Sequence, residues 1–186
     1  TAEIAPWFGG KGGDEVVTSD NGIRSDSSLD QLAKLRPVFD RAYGTVTAGN
    51  SSPLTDGAAM VLLMSEEKAR AEGYLPLAFV RAWAVAAVDP GGQLLMGPGL
   101  AIPRALERAG LQLSDLDLVE MHEAFAAQVA SNVQALESES WAREKLGRST
   151  PVGKVDRDRL NVCGGSIALG HPFGATGARI TTTLIN

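Results

Sequence analysis

The chain has a single cysteine, Cys163, and only two histidines, His122 and His171, in 186 residues. One cysteine excludes an internal disulfide and fits a reducing compartment. No apolar run approaches the roughly 20 residues needed to span a bilayer. The start, Thr1-Ala2-Glu3-Ile4, lacks the basic residues and long apolar stretch of a signal peptide. It also lacks a methionine, which leaves room for the chain to be part of a longer gene product. The net charge of −5 argues against a general binder of nucleic acid or anionic membrane. With 44% hydrophobic and 21% charged residues, the composition is that of an ordinary globular protein. Its length suits one domain or a domain and a half.

Hydrophobic patterning predicts strands alternating with helices. Residues 1 to about 45 are irregular, with turn signals at Gly9-Gly10-Lys11-Gly12-Gly13 and Asp20-Asn21-Gly22. A short helix begins there at a capping box of Ser28 and Gln31, with Pro37 as its stop. Ala58–Met64 and Leu77–Val88 read as strands buried on both faces. Between them Ser65 caps a helix that Gly73 ends. A further helix spans about Leu100 to Ala109 and stops at Gly110. Asp117–Met121 reads as a short strand. The following helix sets Phe125, Val129, Val133 and Leu136 on one side, at core spacing. Residues 137–158 are polar and read as a solvated insertion. The alternation argues for an α/β layered fold with a largely parallel sheet.

The histidines carry the chain's capacity for proton transfer near neutral pH. His171 lies in Gly164-Gly165-Ser166-Ile167-Ala168-Leu169-Gly170-His171-Pro172-Phe173-Gly174-Ala175-Thr176-Gly177-Ala178-Arg179. Glycines around it let a ligand approach the ring closely. Pro172 suits a first helical position, which places His171 at a helix N-terminus, where free N–H groups favour developing negative charge. His122 stands between a strand and a helix, at the carboxyl end of a strand, where open α/β sheets place ligand-binding groups. Taken singly, either could be an incidental histidine in a turn or beneath a loop.

The segment Asn161 to Arg179 resembles the C-terminal histidine motif of the thiolase family. Thr45-Val46-Thr47-Ala48-Gly49-Asn50-Ser51-Ser52, followed by Asp56-Gly57-Ala58-Ala59, resembles the segment that lines the family's pantetheine channel. His122-Glu123-Ala124-Phe125-Ala126-Ala127-Gln128 resembles its oxyanion-hole motif, and Arg24 to Phe39 is similar to the run leading into the first of these. The resemblance covers nearly everything from about residue 20 onward, with three motifs in order. Many thiolases carry asparagine where this chain has His122. The His-Glu-Ala-Phe form is similar to the thiolase subunits of fatty-acid oxidation complexes.

This resemblance implies a layered αβαβα fold with mixed, largely parallel sheets. Residues 1–45 would be a loop or connecting remnant, 46–74 the last strand and helix of the N-terminal half, and 75–186 a C-terminal domain incomplete at its end. The implied reaction is two-step acyl transfer in fatty-acid β-oxidation, with coenzyme A (CoA) as substrate and no cofactor or metal. A cysteine thiolate attacks the keto carbon of a 3-ketoacyl-CoA, acetyl-CoA leaves, and CoA then removes the acyl group. His171 matches the residue that activates the nucleophile. His122 matches the position completing an oxyanion hole. Ser52, Phe125, Gly49 and Gly170 match positions along the pantetheine channel.

The family's nucleophilic cysteine lies upstream of residue 1, and its acid/base cysteine lies beyond Asn186. Cys163 matches neither and is expected to be a small buried residue, so residues 1–186 alone are expected to be inactive. The implied partners are acyl-CoA and CoA, a second copy in a homodimer, and the α subunit carrying hydratase and dehydrogenase activities. The implied setting is the bacterial cytoplasm, or the mitochondrion in a eukaryote. A ketoacyl synthase is a weaker match, because His122-Glu123-Ala124-Phe125 departs from its Ala-His-Gly-Thr context. A thiolase-like protein that binds acyl-CoA or lipid without turnover is the other alternative.

Overall fold

A computed structural model describes residues 3–186; Thr1 and Ala2, the first half of the N-terminal stretch read above, lie outside them. The irregular N-terminal region holds an antiparallel hairpin, with β1 (Trp7–Gly9) pairing β2 (Glu15–Val17) in the register Phe8 to Val16. Helix α1 (Leu29–Leu32) starts at Ser28, whose hydroxyl accepts from the Gln31 amide, and ends short of Pro37. None of residues 3–45 is fully buried.

Helix α2 (Glu66–Ala71) is capped by Ser65, which accepts from the Lys68 amide at 3.2 Å. The core sits further on, where α3 (Gly97–Ala109) packs on α4 (Ala126–Glu137) and α4 on α5 (Glu139–Leu146). Leu106, Leu113, Val133, Leu136 and Val155 form its buried centre, and Ile102, Val129 and Val152 close over it. Each such side chain contributes about 1.5–3 kcal/mol by leaving water.

Helix α3 carries Pro103 in its interior, which removes the bond that its N–H would give to the Gly99 carbonyl. The Trp141 indole of α5 donates to that carbonyl at 3.3 Å instead. Asn132 of α4, fully buried, accepts from the Gly99 amide and donates to the Leu95 and Gln128 carbonyls. The start of α3 is thus satisfied by its neighbours rather than by a cap of its own. Its end is Gly110, at φ 65°, a left-handed position that glycine adopts without strain.

Four expectations need correction. Ala58–Met64 and Leu77–Val88 form no sheet ladder, and only one parallel bridge, Val119 to Leu160, remains of the strand Asp117–Met121. A parallel strand needs neighbours along its edges, and the described residues supply none to the first two segments. What they do supply is α3: Arg108 donates to the Trp83 carbonyl and Arg104 to the Val85 carbonyl. Exposure alternates from Arg81 to Val88, with Ala82, Ala84, Ala86 and Val88 half-buried and Trp83 and Val85 open to solvent. The period of two is that of a strand covered on one face.

Residues 137–158 are also more than an insertion. Their charged side chains are exposed as expected, but Ala142 and Val155 are buried and the segment builds α5. Cys163 is exposed, not buried. It rides on a tight turn in which the Gly164 amide donates to the Asn161 carbonyl and Asn161 takes φ 50°. Finally, Pro172 does not open a helix. After the short helix α6 (Ser166–Leu169), the chain passes through His171 and a turn over Pro172–Ala175 before α7 (Thr176–Ile185). The Pro172 carbonyl accepts from the amides of Ala175 and Thr176.

Candidate active site

Three segments far apart in sequence converge around the two histidines. Residues 45–52 form a loop wired by their own side chains. Thr47 N–H donates to Asn50 Oδ1, Asn50 Nδ2 to the Thr45 carbonyl, and Ser51 Oγ to the Thr47 carbonyl. The loop then lies along residues 122–126: Ser51 bridges Phe125, the Ser52 amide donates to the Ala124 carbonyl, and the Ala126 amide to the Asn50 carbonyl. One residue on, the Pro53 carbonyl accepts from the His171 amide at 3.1 Å. The loop is therefore a strap holding the 122–126 and 170–171 segments side by side.

The imidazoles of His122 and His171 meet there, their ring centroids 3.9 Å apart and their planes inclined by 34°. Phe173, largely exposed, tilts against the outer side of His171 at 4.8 Å. His171 Nδ1 lies 2.7 Å from Thr176 Oγ1. The Thr176 hydroxyl also lies 3.3 Å from the Pro172 carbonyl, which can only accept; with its proton there, it accepts from His171 and the ring hydrogen sits on Nδ1. In that tautomer Nε2 of His171 keeps its lone pair, the form a general base requires.

His122 is half-buried, and its pKa is held below the ordinary imidazole value. Burial is the largest cause, followed by the neighbouring His171 and the Arg179 guanidinium, against a smaller opposing pull from Glu123. His122 is therefore neutral at pH 7. Beneath it, the Glu123 carboxylate accepts from the Ile167 amide and from Asn161 Nδ2, and Asn161 also pairs with both backbone groups of Met121. Asn161 and Glu123 thus lock the His122 segment onto α6. Gly165 is required for this, because a Cβ there would overlap the Glu123 carboxylate.

Among the expected channel residues, Ser52 is tied to the segment that follows His122, its hydroxyl donating to the Ala124 carbonyl at 3.3 Å. Gly170 directly precedes His171 at φ 105°, with the Thr55 side chain where a Cβ would stand. Phe125 is half-buried at the N-cap of α4, edge-on to Phe39 at 6.2 Å, and stands off the buried face shared by Val133 and Leu136. Gly49 faces Leu32 and Leu35 rather than the histidine rings. Sequence reasoning missed Ser166, Thr176 and Arg179. Each lies in the quoted histidine motif, but small polar residues carry no spacing signal until the rings they touch are in place. No group of three or more His, Cys, Asp or Glu side chains that could hold a metal occurs among the described residues.

Residues 1–67 match the N-terminal domain of thiolase and residues 74–186 match the thiolase C-terminal domain. The chain belongs to the thiolase family. It is 57% identical to the 3-ketoacyl-CoA thiolase of Yersinia pestis over all 186 residues, which cover 41% of that protein. The chain thus spans about two-fifths of the length of the curated relatives it matches. Among solved structures, human mitochondrial 3-ketoacyl-CoA thiolase in complex with CoA is 37% identical, with a TM-score of 0.77 over 97% of this chain and 40% of that one. The dimeric peroxisomal thiolase of Saccharomyces cerevisiae is likewise 37% identical, with a TM-score of 0.77 over 91% of this chain and 39% of that one. The fold is therefore the α/β fold of thiolases, and the unpaired segments 58–64 and 77–88 follow a thiolase chain path. No helix among the described residues is long and apolar enough to cross a membrane.

Proposed function

We propose that this thiolase chain supplies the histidine half of a 3-ketoacyl-CoA thiolase site, which transfers an acyl group to CoA with release of acetyl-CoA in fatty-acid β-oxidation. The carrying observation is the pair of imidazoles 3.9 Å apart, with His171 Nδ1 held 2.7 Å from Thr176 Oγ1. In this reading His171 Nε2 takes the proton of a cysteine thiol, and the thiolate attacks the keto carbon of the substrate. His122 faces the oxygen that becomes negative and stabilises it by hydrogen bonding, directly or through a water. Carbon–carbon cleavage releases the acetyl-CoA enolate, which takes a proton from a second acid. CoA thiolate then displaces the acyl group from the cysteine sulfur.

The attacking thiol comes from outside residues 1–186, since Cys163 stands on the exposed 161–164 turn. Ser52, Gly170 and Phe125 border the arm of the bound CoA, and Gly49 shapes the loop that carries Ser52. The CoA complex of the human relative supports CoA as substrate, and the yeast relative supports a homodimer. The His122-Glu123-Ala124-Phe125 form supports docking to a hydratase/dehydrogenase subunit. Bacterial relatives support a cytoplasmic setting. The test is CoA-dependent loss of a 3-ketoacyl-CoA and gain of acetyl-CoA, with the protein as its gene encodes it. Binding of acyl-CoA without turnover would reject the reading.

A further inference from the structure

We infer that Ser166, held by Arg179, is a positioning residue that fixes His122 with its proton on Nε2, so that the ring presents a donor to the site. This inference rests on the reading of His122 as an oxyanion-side donor. Ser166 opens α6 and is fully buried. Its Oγ lies 2.8 Å from His122 Nδ1 and 2.9 Å from Arg179 Nη2. A buried hydroxyl must place its one proton on an acceptor. A guanidinium only donates, so Arg179 fills an acceptor position on Oγ and cannot receive that proton. The remaining partner is His122 Nδ1. That nitrogen is therefore an acceptor, and the neutral imidazole carries its hydrogen on Nε2.

The two histidines end in opposite tautomers through the same device used in opposite senses. With its proton on the Pro172 carbonyl, 3.3 Å away, Thr176 receives one from His171 and leaves a lone pair on Nε2. Ser166 receives from Arg179 and gives to His122, leaving an N–H on Nε2. A base and a donor then stand side by side. The neighbouring Arg179 cation and the second imidazole both oppose protonation of His122, so the tautomer decides what that ring offers.

The test uses the protein as its gene encodes it, in two readouts. With histidine labelled in nitrogen-15, the His122 signals, assigned by their loss in His122→Asn, should show a protonated Nε2 and an unprotonated Nδ1. Ser166→Ala should shift them toward the other tautomer. In kinetics, Ser166→Ala should lower kcat about tenfold with little change in KM, the scale of one hydrogen bond. In a His122→Asn background, where an amide replaces the ring, Ser166→Ala should cost nothing further.

A proton on His122 Nδ1 in the unsubstituted protein would overturn the inference, whether or not Ser166→Ala folds. So would an equal loss of kcat in both backgrounds, because that is the signature of packing alone. Full activity in His122→Ala would instead remove the donor role of His122, while the tautomer would still be decided by the nitrogen signals.

Discussion

His122 and His171 stand 3.9 Å apart, each with Nδ1 beside a buried hydroxyl, Ser166 Oγ at 2.8 Å and Thr176 Oγ1 at 2.7 Å. His122→Asn should keep much of the activity, because an amide can donate from the same place. His122→Ala should lose about 3 kcal/mol of transition-state stabilisation, the scale of one oxyanion donor. Equal loss in the two variants, read as kcat/KM, would remove the donor role.

The pKa directions give a second residue-scale prediction. For His122 the folded value is depressed, so the unfolded chain binds more protons between that value and the ordinary one near 6.5. Its contribution to stability is complete above the ordinary value and is lost as pH falls through the depressed one. Glu120 runs the other way. Burial raises its carboxyl above 4.5, aided by Glu123 and Glu3 and opposed by Arg179. Its contribution is complete below 4.5 and lost as pH rises through the raised value. Glu120→Gln should therefore raise the urea midpoint at pH 7 and change it little at pH 4. A lower midpoint at pH 7 would mean that the Glu120 charge is well paired.

At the level of elements, the exchange at α3 is the most exposed to test. Trp141→Phe keeps an aromatic ring, though a smaller one, and deletes the donor to the Gly99 carbonyl that Pro103 has freed. Stability should fall by about 1–3 kcal/mol in denaturant titration, the cost of an unpaired buried group. No loss would mean that the carbonyl finds another partner. The same region shows what was legible in sequence and what was not. Ser65 announced the start of α2, and Gly110 the end of α3, because caps are local chemistry.

Helix α5 was hidden, since Trp141, Ala142 and Leu146 are few among many charges and acquire a core only when α3 and α4 are beside them. The strand readings at 58–64 and 77–88 took apolar runs as evidence of pairing. Pairing belongs to neighbours, and these segments have none among the described residues. At the site, His122 and His171 were legible because their motifs are long. Their meeting was not, since it depends on a strap from residues 50–53 that no short-range pattern encodes.

For the whole molecule, the balance between apolar surface and catalytic content sets the expectations. Met60, Leu62, Leu63, Leu77, Phe79, Trp83 and Val85 are all more than half exposed. Residues 1–186 prepared alone should bind a hydrophobic dye and self-associate, and should show no CoA-dependent cleavage of a 3-ketoacyl-CoA. Cleavage by that polypeptide, abolished by Cys163→Ser, would place the nucleophile on the 161–164 turn and overturn the proposed chemistry. The central claim is that His171 is the base that makes the thiolate. The most direct measurement is the single-turnover acylation rate on mixing the protein, as its gene encodes it, with a 3-ketoacyl-CoA, compared between His171 and His171→Ala. Acylation should be about a hundredfold slower or more in the variant, with CoA affinity little changed. Acylation near the rate of the unsubstituted protein would contradict it.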